Sequence, residues 1–206
     1  RSLYANQSTI SGTHLFGLNA SVTESNPIAS VVVGAASGLN DGTNEKLYVG
    51  ATAIGWTAAS GTVSVSGTSW NYTFSGGQYV FTAATGYVSA ATAQTFVRSL
   101  GYGNALGTGA FQGNRVFNVT TTDAAGNASA AATATVVVDT TSPTYAIAYN
   151  TGSSGPVFNG QTVSLLITLS EKALYDSAGT LPTGFGMSDF AYPNGSLSNL
   201  AHAWVP

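Results

Sequence analysis

Charged residues make up 6% of this 206-residue chain, five Lys and Arg against eight Asp and Glu, for a net charge of −3; ordinary globular proteins carry roughly 25%. The polar surface must therefore be mostly Ser, Thr, Asn and Gly, with no basic patch to engage nucleic acid or anionic membranes, and no stretch nears the ~18 apolar residues of a membrane span. With 44% hydrophobic residues, 11% aromatics and no cysteine, the chain can bury a core without disulfides and has room for one large or two small domains.

Taken in chain order, helical signals are nearly missing. Residues before about Leu18 carry no recognisable pattern. Ala29–Ala36 is apolar and β-branched, Leu47–Ile54 alternates large and small residues, and Thr62–Ser66 alternates cleanly, all of which read as strands. Trp70–Phe74 places Trp70, Tyr72 and Phe74 on one face, and Ser75-Gly76-Gly77 turns it into Gln78–Thr82, so the two form a hairpin. Ala90–Leu100 is the one segment that suits a short helix or turn. Arg115–Thr121 is a strand with Phe117 and Val119 on one face and Val116, Asn118 and Thr120 on the other. The turn Asp123–Asn127 leads to a last strand, Ala132–Val138.

Strands at this spacing predict an all-β sandwich of about seven strands and ~100 residues. It is expected to run from Leu18 to Asp139, preceded by residues 1–17 as an extension. Asp139–Pro143 is a linker, because Pro143 fixes φ and favours an extended approach to the next strand. A second unit, 140–206, contains strands at Tyr145–Tyr149 and Thr162–Leu169, a Gly-rich loop before Asp189-Phe190, and a tight turn at Asn194-Gly195. A whole sandwich needs ~100 residues, so this second one is expected to be incomplete as given. The chain begins with Arg1 and shows no signal peptide, as a processed or excised part of something longer would.

Asp139-Thr-Thr-Ser-Pro143, the strand ending in Ile167-Thr-Leu-Ser-Glu171, Asp189-Phe190 and Asn194-Gly-Ser-Leu-Ser-Asn-Leu200 follow one another in the order seen in a bacterial Ig-like repeat. The stretch from Val138 to Pro206 resembles that family, which builds large repetitive surface proteins and adhesins. The first unit is similar to its broader relatives in the turn Asp123–Asn127, and Ala93–Tyr102 is similar to a segment of bacterial cadherin-like modules. The resemblance implies tandem immunoglobulin-like β-sandwich domains strung into a rod or fibre. The strands missing from the second would lie beyond Pro206, or come by strand addition from a neighbouring subunit, with Arg1–Asn19 as a conceivable donor.

Catalytic chemistry finds little footing. His14 and His202 are the only histidines, no nucleophile elbow follows a strand, and the few acids sit mostly in loops; no enzymatic activity is expected. Calcium is the sharper expectation, since it wants several carboxylate and carbonyl oxygens. In an Ig-like sandwich Asp41 and Glu45 would share one end with Asp123 and Asn127. Asp139 would meet Glu171, Asp176 and Asp189 at the junction that follows. The related repeats often stiffen their junctions with calcium. The plainer reading is that Asp and Asn prefer turns for local hydrogen bonding. Likewise Trp56, Trp70 and Tyr72 would line a sugar-binding face or, as aromatics usually do, fill a core.

The expected function is a structural and adhesive segment of an extracellular bacterial surface protein or fibre. Its partners would be neighbouring modules, identical subunits, or host or matrix glycans. The alternative is a carbohydrate- or surface-binding module accessory to a secreted enzyme.

Overall fold

The computed structural model describes residues 2–3, 13–17, 19–141, 144–149 and 165–169. The chain divides into two compact units, Arg1–Thr141 and Ser142–Pro206.

In the first unit, period-two alternation produces the strands. The central one is β3 (Ile28–Ser37), which follows the short β1 (Ser2–Leu3) and β2 (Thr13–His14). Leu47–Ile54 was expected as one strand, and here the structure differs. It is a hairpin of β4 (Glu45–Val49) and β5 (Thr52–Gly55), closed by the pair Val49 and Thr52. Gly50 makes this possible, for its φ of 59° lies in the left-handed region that other residues resist. Next come β6 (Ser60–Val65), β7 (Thr68–Ser75) and β8 (Gln78–Ala83), with β7 and β8 joined at Gly76-Gly77 as the sequence predicts. The helix α1 (Ala90–Ser99) is capped by Ser89, whose hydroxyl accepts from the Thr92 N–H at 3.2 Å. It buries Ala93, Phe96 and Val97, the i, i+3, i+4 stripe of a helix lying on a core. β9 (Leu100–Asn104), β10 (Gly113–Asp123) and β11 (Ala132–Val138) complete the unit.

Seven strands form one sheet in the order β1-β11-β10-β3-β8-β7-β6, and four form another in the order β2-β9-β4-β5. All neighbours are antiparallel except β1 and β11, which run parallel. The fold is thus all-β with one helix among the described residues. The two sheets share one core, to which β3 gives Val31 and Val33, β4 gives Leu47 and Val49, β8 gives Tyr79 and Phe81, and β10 gives Phe117 and Val119.

Trp56, Trp70 and Tyr72 pack into or against the core. Trp70 is 1% exposed with its ring 4.3 Å from Phe96, Trp56 stacks at 5.5 Å on Phe117, and half-buried Tyr72 meets Tyr79 edge-on.

In the second unit, β12 (Tyr145–Tyr149) pairs antiparallel with β13 (Leu165–Leu169), Ile147 opposite Ile167. Both fall within runs that the sequence reads as strands. Glu171, Asp176 and Asp189 lie outside the described residues.

Candidate functional site

The end of β3 and the start of β10 frame a buried ionic node. On β4 the core-facing positions are Glu45, Leu47 and Val49, and on β10 they include Arg115, Phe117 and Val119. Alternation therefore sends one carboxylate and one guanidinium into the core in the phase of its valines. Glu45 and Arg115 are both 0% exposed. Arg115 Nε donates to Glu45 Oε1 at 2.7 Å and Nη2 to Asp41 Oδ2 at 2.8 Å, while its remaining donors reach the carbonyls of Phe111 and Gly113. Tyr102, on β9, donates to Glu45 Oε1 at 2.6 Å. Asn104, the cross-strand partner of Glu45, donates to Asp41 Oδ2 at 2.7 Å. The Asp41 N–H returns to Glu45 Oε2 at 2.9 Å, and the Phe111 N–H donates to the Asp41 carboxylate.

Both sheets and two loops meet at this node. Burial, then the hydrogen bond and charge of Glu45, push the Tyr102 hydroxyl far above its ordinary range, so it remains a donor. Burial opposes the charge on Arg115, but Glu45 and Tyr102 outweigh it and its pKa is raised. One cation facing two carboxylates, with nearly every lone pair and N–H engaged, is a structural cross-tie. A buried ion pair is tolerable only when so completely satisfied.

The second cluster is the turn after β10. Asp123 Oδ1 accepts from the N–H groups of Ala125 and Asn127, and Oδ2 accepts from the side-chain amides of Asn127 and Asn26 at 3.0 and 3.1 Å. Those bonds, Asn127's first, hold the Asp123 carboxyl below the ordinary carboxylate range. Nearby, Glu24 Oε1 accepts from the N–H groups of Asn26 and Ser25, which likewise lowers its pKa. A cavity of about 450 Å³ opens here, lined by Phe16, Val22, Ile28 and Val119 together with Glu24 and Asp123.

The structure keeps apart residues expected to meet. Asp41 and Glu45 come together, as do Asp123 and Asn127, but the two pairs occupy opposite ends of β10. Arg115 and Asp123 are eight positions apart, roughly 26 Å of extended chain. The expectation had β3 and β10 run toward one shared end of the sandwich. They are instead hydrogen-bonded antiparallel neighbours, with Ile28 opposite Asp123 and Ser37 opposite Val116, so the loop after β3 lies beside the start of β10. Asp139 accepts from the Thr141 N–H at 3.0 Å. Among the described residues no group of three or more His, Cys, Asp or Glu converges as metal ligands would.

Arg115, Tyr102 and Asn104 were not singled out from the sequence. The signal was there in the phase of alternation, since Arg115 shares parity with Phe117 and Val119, and Glu45 with Leu47 and Val49. No protein-family model matches the chain, and no curated protein or solved structure matches it either.

Proposed function

We propose that the chain is a structural and adhesive segment of an extracellular bacterial surface protein, built from immunoglobulin-like modules in tandem and transmitting tension without catalysing a reaction. One observation carries this reading. In the first unit the N-terminal strand β1 lies parallel to the C-terminal strand β11, Ser2 opposite Val137 and Leu3 opposite Val138. Pulling such a unit by its ends drags β1 and β11 in opposite directions along their own axes. Their hydrogen bonds then share the force at once, in shear, instead of opening one by one. The node of Arg115, Glu45 and Asp41 supports the same reading, since it ties β10 to the other sheet close to where β11 leaves the unit. The order of sequence words from Asp139 to Leu200, similar to bacterial Ig-like repeats, supports the tandem arrangement and the surface location. The carbohydrate-binding alternative loses its main support with Trp56 and Trp70 in the core.

Single-molecule pulling of the full chain by its two ends tests the proposal. The first unit should yield in one cooperative step, and Leu3→Pro, which disturbs the β1–β11 ladder, should lower the force of that step. A first unit that extends gradually at low force, unaffected by Leu3→Pro, would sink it.

A further inference from the structure

A sheet edge offers unpaired backbone groups to any other strand, and proteins usually guard such edges with Lys, Pro, bulges or short length. The four-stranded sheet ends in β2 and β5, which are two and four residues long. One side of the seven-stranded sheet ends in the two residues of β1. The other side ends in β6, six residues without a bulge in its register with β7. No charged residue and no proline occurs anywhere between Lys46 and Arg98, so neither β6 nor its neighbours β7 and β8 carry the charges or prolines that usually guard an edge.

The turn from β6 to β7 shows which groups face outward. It is a two-residue turn with Ser66 at φ 48° and Gly67 at φ 80°, closed by Val65 and Thr68. In such a hairpin the closing pair exchanges both hydrogen bonds, and so does every second pair beyond it. Val65, Val63 and Gly61 therefore bond to β7, and the N–H and C=O groups of Ser60, Thr62 and Ser64 point away from the sheet. No backbone hydrogen bond from β6 to any element but β7 occurs among the described residues. The side chains of Ser60, Thr62 and Ser64 are exposed as well. Where the β4–β5 turn approaches, the residue is Gly50, on which a Cβ would lie 4.0 Å from the Ser64 carbonyl oxygen.

The outward groups read Ser, Thr, Ser in either direction. We infer that β6 pairs antiparallel with β6 of a second copy of this chain, about a two-fold axis through Thr62. Thr62 then faces its own counterpart, each Ser60 faces a Ser64, and about six main-chain hydrogen bonds join two sheets into one. A charged strand would oppose like with like in this arrangement; an uncharged palindrome sets small hydroxyl side chains side by side, a favourable cross-strand pairing. The contact holds whether or not the modules form a rod, because it uses a lateral edge and not the chain ends. A ladder this short buries less than the ~1,200 Å² of a standard stable interface, so the dimer is a weak one.

Sedimentation equilibrium of the full chain across a range on the order of 10 μM to 1 mM tests this. The unsubstituted protein should show a monomer–dimer equilibrium. Thr62→Lys sets two cations against each other across the axis and should weaken it at least about tenfold, with circular dichroism and Tm close to those of the parent because Thr62 is exposed. Mixing Thr62→Lys with Thr62→Glu should restore a dimer that neither variant forms alone. A protein monomeric throughout the range, or a dimer indifferent to Thr62→Lys and gaining nothing from the mixture, would overturn the inference.

Discussion

Replacing Arg115 with Met removes the only cation of the ionic node and keeps most of its volume. Four acceptors lose a partner: the carboxylates of Glu45 and Asp41 and the carbonyls of Phe111 and Gly113. Asp41 retains the Phe111 N–H and Asn104, and Glu45 retains Tyr102 and the Asp41 N–H. What remains uncompensated is negative charge in a region where both Glu45 and Arg115 were wholly buried. Removing one partner of a buried pair costs about 3–5 kcal/mol, well above the worth of the pair itself. For a unit of this size that lowers Tm by roughly 10 °C or more. Urea unfolding followed by tryptophan fluorescence reads the loss directly, because Trp56 stacks on Phe117, two residues from Arg115. A loss below about 1 kcal/mol, the range of exposed ion pairs, would refute the claim that this node is a dry cross-tie between the sheets.

The turn carboxylate gives an acid-side signature. Asp123 is held below its unfolded value of ~3.9, so its stabilisation is complete above that value and is lost as pH falls through the folded one. Asp123→Ala should lower stability at pH 7 and flatten the acid limb of the stability curve, measured by urea unfolding between pH 2 and pH 7. Tyr79 gives the opposite signature. Burial pushes its hydroxyl, which donates to the Gly55 carbonyl, up to about 12. The folded state then keeps a proton that the unfolded state loses above ~10, and stability falls as pH rises through that window. Absorbance titration should show a late phenolate that disappears in Tyr79→Phe, while Tyr102 still ionises later. For calcium, every described carboxylate of the first unit already accepts hydrogen bonds from the chain. Exchanging calcium for chelator should leave this unit's Tm unchanged. A site saturated a hundredfold would add ~2.7 kcal/mol, and a rise of that size abolished by Asp123→Asn would contradict the geometry.

Strands were legible because alternation is a local property. β11 and β12 coincide with the runs Ala132–Val138 and Tyr145–Tyr149, and Gly76-Gly77 announced its hairpin. Leu47–Ile54 misled because Gly50 interrupts an alternation that continues unbroken on either side, and only its left-handed φ reveals the turn. The meeting of the acids was misjudged for another reason. Whether the loop after β3 lies beside the start or the end of β10 depends on which strands are neighbours, a long-range choice that alternation does not encode. The node itself was half visible. Its acids, Asp41 and Glu45, drew notice for being rare, while Arg115 was read as the first residue of a strand and not as a core residue bearing a charge.

Scarcity of charge makes the node informative about how this fold chooses its register. In strands of Val, Ala, Ser and Thr, a slip by two residues returns every apolar side chain to the core face and changes little else. Between β10 and β3 such a slip would carry Arg115 about 6.6 Å from Glu45, leaving both charges buried and unpaired, at a cost that valine packing alone would not impose. The node therefore penalises the near-native alternatives that the rest of the sequence leaves almost equal in energy. Arg115→Met combined with Glu45→Leu separates these two roles. The double variant should recover part of the stability lost by Arg115→Met alone, since the Glu45 charge is no longer stranded while Asp41 keeps the Phe111 N–H and Asn104. Its amide NMR spectrum should nonetheless show additional or broadened peaks for β10 and β3, as molecules sample more than one pairing. A single sharp set of peaks at recovered stability would mean that packing fixes the register unaided and the ionic node only strengthens it.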